Sequence, residues 1–311
     1  MTFAALTPNL SPIDTLRHVV GEASRTTVLL SALGLAMRAR ISETPPHPHV
    51  SQAVHRLLAQ NGLTRAVASA APDELAPVLE LIRAELMFGG HILGDGIGAR
   101  GWQDRDVEVM QVFGKVSHSF WRGFERLATA AAPAVLQRLD QPGARFLDIG
   151  TGVGWLTIGM LQRWPELSAV GIEPLPGALA IAQENMASEG LAGRVELRLG
   201  RGEDLADIAA FDLVFVPSAF IPATAMPEIL RRAHAALRPG GRLLLAVMQP
   251  PDMVDAAVLA QFRAAVWGGD VLGIETGTAL LQASGFRQID AMQQPGGFIA
   301  FLLAAPQSLA A

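Results

Sequence analysis

Residues 145–160 read RFLDIGTGVGWLTIGM and join a strand, a glycine turn and the start of a helix. The apolar run at residues 144–149 is typical of a buried parallel strand, with Asp148 near its carboxyl end. Glycine tolerates positive φ and lets a ligand lie against the backbone, and it occupies alternate positions here, Gly150, Gly152 and Gly154. A helix predicted at residues 155–163 would offer the ligand unpaired N–H groups and a partial positive charge.

A second apolar run completes a strand–helix–strand unit. Residues 167–172 have strand character, and Glu173 ends the run. In nucleotide-binding units of this kind, an acidic side chain at this position accepts hydrogen bonds from ribose hydroxyl groups. Together with the glycine turn, Glu173 favours a ligand that contains adenosine.

Five segments follow one another in a characteristic order: LDIGTGVG, GIEPLPGAL, RVELRLGRGEDL, FDLVFVP and LRPGGRLLL. The series resembles the motifs of class I S-adenosylmethionine-dependent methyltransferases and covers residues 145–247. The resemblance implies an α/β fold with a seven-stranded Rossmann-like sheet whose last strand is antiparallel. It also implies S-adenosylmethionine as the cofactor, but it does not identify the substrate.

The resemblance assigns roles to residues of the first two motifs. Asp148 would meet the methionine part of the cofactor, together with the backbone of the turn, which comprises Gly150, Thr151, Gly152 and Gly154. Glu173, followed by Pro174, would hold the ribose. Leu175 would press on the adenine face.

The later motifs imply contacts to the rest of the cofactor. The backbone of Gly202 and the side chain of either Glu203 or Asp204 would face the adenine edge. Many family members carry an acidic residue where this chain has Arg201. The strand at residues 213–216 is followed by Pro217 and Ser218, which would border the reacting methyl group.

The composition limits what the chain acts on. Its 311 residues suffice for two domains, and the formal net charge is −5. Nucleic-acid binding depends largely on Lys and Arg that neutralise phosphates, and no basic stripe is present, so no nucleic-acid partner is expected. Cysteine and tyrosine are absent, which excludes thiolate ligands, disulfides and a phenolic base.

The amino-terminal sequence indicates where the chain works. It lacks a basic start followed by an apolar core, so no secretory signal is expected. The most apolar early run, residues 26–37, is shorter than the roughly 20 residues that a membrane-spanning helix needs. A cytoplasmic protein with no membrane partner is predicted.

Residues 1–140 show helical patterns and no strand signal, which predicts an all-α N-terminal domain before a catalytic domain at residues 141–311. Helices are expected at residues 50–60 and 72–88. The apolar run at residues 26–37 suits either a buried core or a homodimer interface.

Two short segments of this region carry residues that other proteins use in sites. The glycine-rich segment at residues 89–102 is either a lid over a pocket or an ordinary surface loop. His47 and His49 form a pair that can ligate a metal, but prolines flank them and no third ligand is near. A solvated loop and no metal are expected.

The segment that leads to the first strand contains the candidate base. Apolar residues recur at helical spacing over residues 120–139, which predicts one long amphipathic helix. In many of the small-molecule methyltransferases that this chain resembles, the segment before the first strand closes over the cofactor. The resemblance therefore makes His118, in KVSHSFW, the candidate catalytic residue, a polar group expected to face the substrate and accept a proton.

The carboxyl-terminal segment predicts the end of the sheet. A spacing of four predicts a helix that packs on the sheet, with Val254, Val258, Phe262 and Val266 on its apolar face. Two apolar runs follow at residues 286–292 and 298–304. The turn QQPGG between them is too short for anything but antiparallel strands.

The main hypothesis is methyl transfer to a small, largely apolar metabolite that binds between the helical region and the strand ends. One alternative keeps the cofactor but not the methyl transfer, such as closure of the cofactor's own amino group to a four-membered ring with release of methylthioadenosine. Another is a non-catalytic or regulatory protein that retains the binding fold.

Overall fold

The central strand of a seven-stranded sheet carries the glycine turn at its carboxyl end. The computed structural model describes residues 11–92, 107–250, 255–293 and 298–307. The strands are β1 (Arg145–Ile149), β2 (Ser168–Glu173), β3 (Val195–Leu199), β4 (Phe211–Pro217), β5 (Leu237–Met248), β6 (Phe286–Gln293) and β7 (Ile299–Pro306). Their order across the sheet is β3-β2-β1-β4-β5-β7-β6.

Strand direction brings the predicted site residues to one edge. Strand β1 pairs in parallel with β2 and with β4, so the carboxyl ends of all three strands meet there. Strand β7 runs antiparallel to both β5 and β6. The predicted seven-stranded sheet with an antiparallel last strand is confirmed.

Helices surround the sheet and also form a separate group before it. They are α1 (Pro12–Ser42), α2 (Pro48–Gln60), α3 (Thr64–Ser69), α4 (Pro72–Ile92), α5 (Val107–Ser117), α6 (Phe120–Ala131), α7 (Pro133–Leu139), α8 (Trp155–Arg163), α9 (Pro176–Ser188), α10 (Met226–Ala236), α11 (Ala256–Trp267) and α12 (Ile274–Ala283).

The sheet has a hydrophobic core on each face. Successive residues of β4 enter opposite cores, with Val214 and Val216 in one and Leu213 and Phe215 in the other. Helices α10 and α12 cover the first core, and α6, α7 and α8 contribute to the second. Burial on both faces explains why the strand sequences are apolar runs rather than alternating patterns.

The single helix expected at residues 120–139 is two helices, and that prediction was wrong. Ala132 leaves the helical region with φ −152 and ψ 61, and Pro133 begins α7. Proline disfavours the helical conformation for the residue before it and has no N–H to continue the ladder. The apolar face is nevertheless buried, as its spacing predicts, at Phe124, Leu127, Val135 and Leu139.

Helix α11 exists, and its predicted apolar face is buried only in part: Val266 is buried, but two other residues of that face are not, and Val254 lies outside the described residues. Val258 and Phe262 are 63% and 50% exposed, whereas the small residues Ala256, Ala260 and Ala264 are buried. Ala260 and Ala264 belong to a cluster with Ala219, just beyond β4. Small side chains allow this close approach, whereas Val258 and Phe262 remain on the exposed side of the helix.

The chain divides into two compact units, Met1–Gly94 and Asp95–Ala311. The described part of the first unit is helical, and α1 and α4 share a core built by Met37, Leu75, Leu79 and Ile82. In the second unit, α6 contacts β7 and α7 contacts β4, so the helices just before residue 140 pack on the sheet. Of the glycine-rich segment at residues 89–102, only residues 89–92 are among the described residues, at the end of α4, and the rest lies outside them.

Candidate active site

The glycine turn is held in a left-handed conformation at the end of β1. Gly152 has φ +57, and a Cβ placed there would meet no atom within 4 Å. The backbone N–H groups of Gly150 and Thr151 donate to the Ile172 carbonyl at 2.8 and 3.0 Å, which ties the turn to β2. The conformation requires glycine, and the space beside its backbone is open to a ligand.

Asp148 is buried at the base of this turn. Its Oδ2 accepts hydrogen bonds from Thr151 Oγ1 at 2.9 Å and from Thr157 Oγ1 at 2.6 Å. Burial raises the pKa of Asp148 from its ordinary value of 3.8 to about 6, although the two hydroxyl hydrogen bonds oppose the shift. Nothing in the sequence singled out Thr157, which lies on α8.

Glu173 bridges two backbone segments at the end of β2. Its Oε2 accepts from the Gly152 N–H at 2.9 Å, and its Oε1 accepts from the Leu175 N–H at 3.0 Å. Burial raises the pKa of Glu173, the two backbone hydrogen bonds lower it, and the nearby Asp148 charge raises it. Each carboxylate oxygen can accept more than one hydrogen bond, so acceptor capacity is left for hydroxyl groups.

The neighbouring predicted residues lie around this pair. Pro174 is exposed and Leu175 is half-buried beside a cluster that contains Val153. Gly202 is buried, and a Cβ there would come within 2.7 Å of Ile149 Cγ2, which places its 3-10 turn beside the end of β1. In that turn the Glu203 side chain is half-buried and the Asp204 side chain is exposed.

Pro217 and Ser218 stand at the carboxyl end of β4. A Cβ on Gly150 would lie 3.7 Å from Pro217 Cγ, so this end borders the glycine turn. The Ser218 side chain is fully buried, and its hydroxyl has no hydrogen-bond partner among the residues that the structure describes. A buried hydroxyl without a partner is costly, and such a group at a strand end is suited to a polar ligand atom. The open space at Gly152, the acidic strand ends and this hydroxyl fit the predicted cofactor.

His118 lies apart from these residues. Its Nε2 is 2.9 Å from Oε1 of Gln162, in the last turn of α8, and its ring meets the Trp155 ring edge-on at 5.9 Å. The structure therefore does not bring His118 into the group formed by Asp148 and Glu173. Its role as a base stays a prediction.

Two features of this edge carry no signal in the sequence. Gln111 on α5 and Asn185 on α9 form a side-chain amide pair beside the turn, although they are 74 positions apart in the sequence. Past the end of β4, Trp267 stacks on Phe220 at 5.2 Å and meets Phe113 edge-on at 6.3 Å. Neither group is contiguous in sequence, so only the folded chain assembles them.

The described residues contain neither a metal-ligand cluster nor a membrane-spanning helix. No three His, Asp or Glu side chains there come together in a way that could hold a metal ion. No helix in those ranges has the length and apolar character needed to cross a bilayer.

The chain is similar to known methyltransferases. A family model described as a methyltransferase domain matches residues 146–241. The chain is 30% identical over 245 residues to a release factor glutamine methyltransferase of Deinococcus radiodurans, in a match that spans 63% of this chain and 83% of that protein. A second such protein, from Cereibacter sphaeroides, is 34% identical over 153 residues, but the chain covers only 55% of its length.

Solved structures share the fold over almost the whole chain. The pyocyanin biosynthetic protein PhzM aligns with a TM-score of 0.60 at 19% identity and covers 94% of this chain and 98% of its own. At 19% identity, this structural similarity supports the fold but not a shared activity.

Proposed function

The chain belongs to the class I S-adenosylmethionine-dependent methyltransferase superfamily, and on that premise we propose that it methylates a small, largely apolar metabolite at the carboxyl edge of its sheet. The aromatic group just past β4, formed by Phe113, Phe220 and Trp267, carries this proposal. Aromatic rings present a large apolar surface and favour stacked or edge-on contacts with flat apolar partners.

The geometry of β4 supports an acceptor site beside these rings. Phe220 belongs to the same 3-10 turn as Ser218, and its side chain is 43% exposed. The buried Ser218 hydroxyl offers one polar contact within an otherwise apolar wall. A few polar groups in a mostly apolar pocket are typical of small-molecule sites.

The residues around the glycine turn would hold the cofactor. Asp148 would attract the positive amino group of the methionine part, and Glu173 would accept hydrogen bonds from the ribose. Leu175 would cover the adenine face, and the turn at Gly202 would meet the adenine edge. The burial and mutual proximity of the two carboxylates support this arrangement.

When bound, S-adenosylmethionine would supply a methyl group carried on a positively charged sulfur, and a bond from the acceptor atom to that methyl carbon would form in line as the carbon–sulfur bond breaks, with S-adenosylhomocysteine, a neutral thioether, as the leaving group. The chain's own residues hold the two reactants together and exclude water. Correct orientation of reactants can contribute up to about 7–11 kcal/mol to the barrier reduction. The proton that the acceptor loses requires a base only if the acceptor is a weak nucleophile; His118 is the proposal for that role.

We also propose that the chain forms a homodimer through the first part of α1. Ile13, Leu16, Val20 and Val28 follow helical spacing and are each more than half exposed. An apolar stripe of this kind on one helix suits association with a second helix.

A kinetic experiment tests the acceptor site. We expect Phe220→Ala to raise KM for aromatic hydroxylated acceptors by about tenfold, since a lost aromatic contact is worth about 1–3 kcal/mol. The affinity for S-adenosylhomocysteine should not change. Phe262→Ala, a similarly exposed aromatic on α11, is the matched control and should leave both quantities unchanged. Unchanged acceptor KM in Phe220→Ala would refute the proposed acceptor site.

A further inference from the structure

A pair of side-chain amides joins helix α5 to the glycine turn. Gln111 Nε2 donates to Asn185 Oδ1 at 2.8 Å, and Asn185 Nδ2 donates back to Gln111 Oε1 at 3.2 Å. Asn185 Nδ2 also donates to the Val153 carbonyl at 2.7 Å, and the Trp155 indole N–H donates to Gln111 Oε1 at 2.6 Å. The pair thus connects α5, α9, the turn and the start of α8.

The Val153 carbonyl lies at the centre of the turn. It stands between Gly152 and Gly154, both of which have positive φ. Strand β2 holds three backbone N–H groups of the turn: those of Gly150 and Thr151 donate to the Ile172 carbonyl, and that of Gly152 donates to the Glu173 carboxylate. The peptide unit after Val153 is held at both ends: its N–H, on Gly154, donates to the Thr151 carbonyl at 2.9 Å, and its carbonyl accepts from Asn185, so α9 contributes to its orientation.

Helix α5 also packs directly on the turn. A Cβ on Gly114 would come within 2.4 Å of Val153 Cγ2, so the helix backbone lies against the Val153 side chain. Met110 packs with Val153 in the same small cluster. The amide pair therefore lies within the close contact between α5 and the glycine turn. It fixes the position of α5 along the turn, because amide partners require specific distances and angles.

We propose that Gln111 and Asn185 are positioning residues that make α5 part of the S-adenosylmethionine site. The pair holds the turn in the conformation that binds the cofactor, so docking of α5 and occupancy of the site stabilise each other by the same free energy. This inference rests on the proposed cofactor site at the glycine turn. Because both side chains are neutral amides, the coupling should not depend on pH between 5 and 8.

Hydrogen exchange and calorimetry test the coupling. In the wild-type chain, S-adenosylhomocysteine should slow amide exchange in α5, since the bound turn stabilises the docked helix. In Gln111→Met, which keeps the length of the side chain but removes its polar atoms, Kd for S-adenosylhomocysteine should rise on the order of tenfold. The ligand should also protect α5 less than in the wild type.

A matched control separates the amide pair from packing. Lys115→Met lies on the same helix and removes the cation that stands 5.0 Å over the Trp155 ring, but it leaves the pair intact. Its Kd should stay within twofold of the wild type.

Two results would overturn the inference, and a third would overturn the cofactor site on which it rests. Wild-type binding with no change in α5 exchange would overturn it even if Gln111→Met failed to fold, and so would an unchanged Kd in a folded Gln111→Met. Absence of binding by the wild-type chain would instead overturn the proposed cofactor site itself.

Discussion

Asp148 is a carboxylic acid in the protein interior, and its burial lowers the free energy of unfolding at neutral pH. Its pKa rises from 3.8 to about 6, so the folded state binds a proton more tightly than the unfolded state. The sign follows from linkage: the associated stability is fully present below about pH 4 and is lost as the pH rises through about 6.

We expect Asp148→Asn to raise the free energy of unfolding at pH 7, by up to about 3 kcal/mol. The Thr151 and Thr157 hydroxyls can reverse their hydrogen bonds to suit an amide. Denaturant unfolding at pH 4, 5, 6 and 7 measures the difference in the free energy of unfolding between variant and wild type. The difference should grow with pH, and a constant difference would refute the assignment.

The same substitution should weaken cofactor binding. The neutral amide of Asp148→Asn attracts the amino group of the methionine part less than a carboxylate does, and a charged hydrogen bond is worth about 1.5–3 kcal/mol, or at least about tenfold in Kd. For the wild type, Kd for S-adenosylhomocysteine should rise as the pH falls below about 6, because Asp148 takes up a proton. Calorimetry at pH 7.5 and 5.5 checks both. A wild-type affinity that is equal at the two pH values, or a variant that binds as tightly, would contradict the proposed contact.

Glu173 can be tested through the ligand rather than through the protein. Substitutions of Glu173 also disturb the acceptors of the Gly152 and Leu175 N–H groups, since even Gln keeps only one of the two oxygens, so loss of binding would be ambiguous. The 2′-deoxy analogue of S-adenosylhomocysteine instead lacks one hydroxyl and leaves the chain intact. We expect it to bind at least about tenfold more weakly to the wild type. Equal affinities would place the ribose elsewhere.

Among the elements, α8 depends on a glycine for its packing. A Cβ on Gly159 would come within 2.0 Å of the His118 carbonyl oxygen, whereas a Cβ on Gly177 in α9 would meet nothing within 4 Å. Alanine is a better helix former than glycine by up to about 1 kcal/mol. We therefore expect opposite signs from the same substitution: Gly177→Ala should be neutral or stabilising, and Gly159→Ala should cost about 1–3 kcal/mol through overpacking. Thermal and denaturant unfolding measure both, and a stabilised Gly159→Ala would show that this contact is not close.

The elements also show what sequence patterns can and cannot predict. Helix α8 begins and ends where predicted, because a glycine turn precedes it and its periodicity is local. On α11 the alanines and the larger apolar residues share one helical period, so spacing alone cannot tell which face is buried. The break between α6 and α7 is predictable from the sequence, because Pro133 disfavours a helical conformation at the residue before it.

The residues of the candidate site also fall into those that the sequence predicts and those that it does not. Asp148, the glycines and Glu173 belong to motifs whose order along the chain reveals them. Thr157, Gln111 and Asn185 act through partners distant in sequence, and a polar residue on a helix gives no sign of its partner. Only the packing of α5, α8 and α9 brings these side chains to the turn.

At the scale of the whole molecule, the apolar stripe on α1 predicts the oligomeric state. Val20 is 67% exposed, and we expect Val20→Glu to shift the chain from dimer to monomer because a charge would be buried in the interface. Glu22→Lys, an exposed change on the opposite side of the same helix, is the control and should not alter the mass. Light scattering after size-exclusion chromatography gives the mass. A wild type that is monomeric at micromolar concentration would contradict the proposal.

The most direct test of the function is the identity of the products. Purified chain should be incubated with S-adenosylmethionine and a set of small aromatic and apolar acceptors that carry hydroxyl groups, and the mixture analysed by mass spectrometry. We predict one methyl group added per acceptor molecule and an equal amount of S-adenosylhomocysteine. Methylthioadenosine as the product, with no methylated acceptor, would contradict methyl transfer and show that another carbon beside the sulfur is attacked.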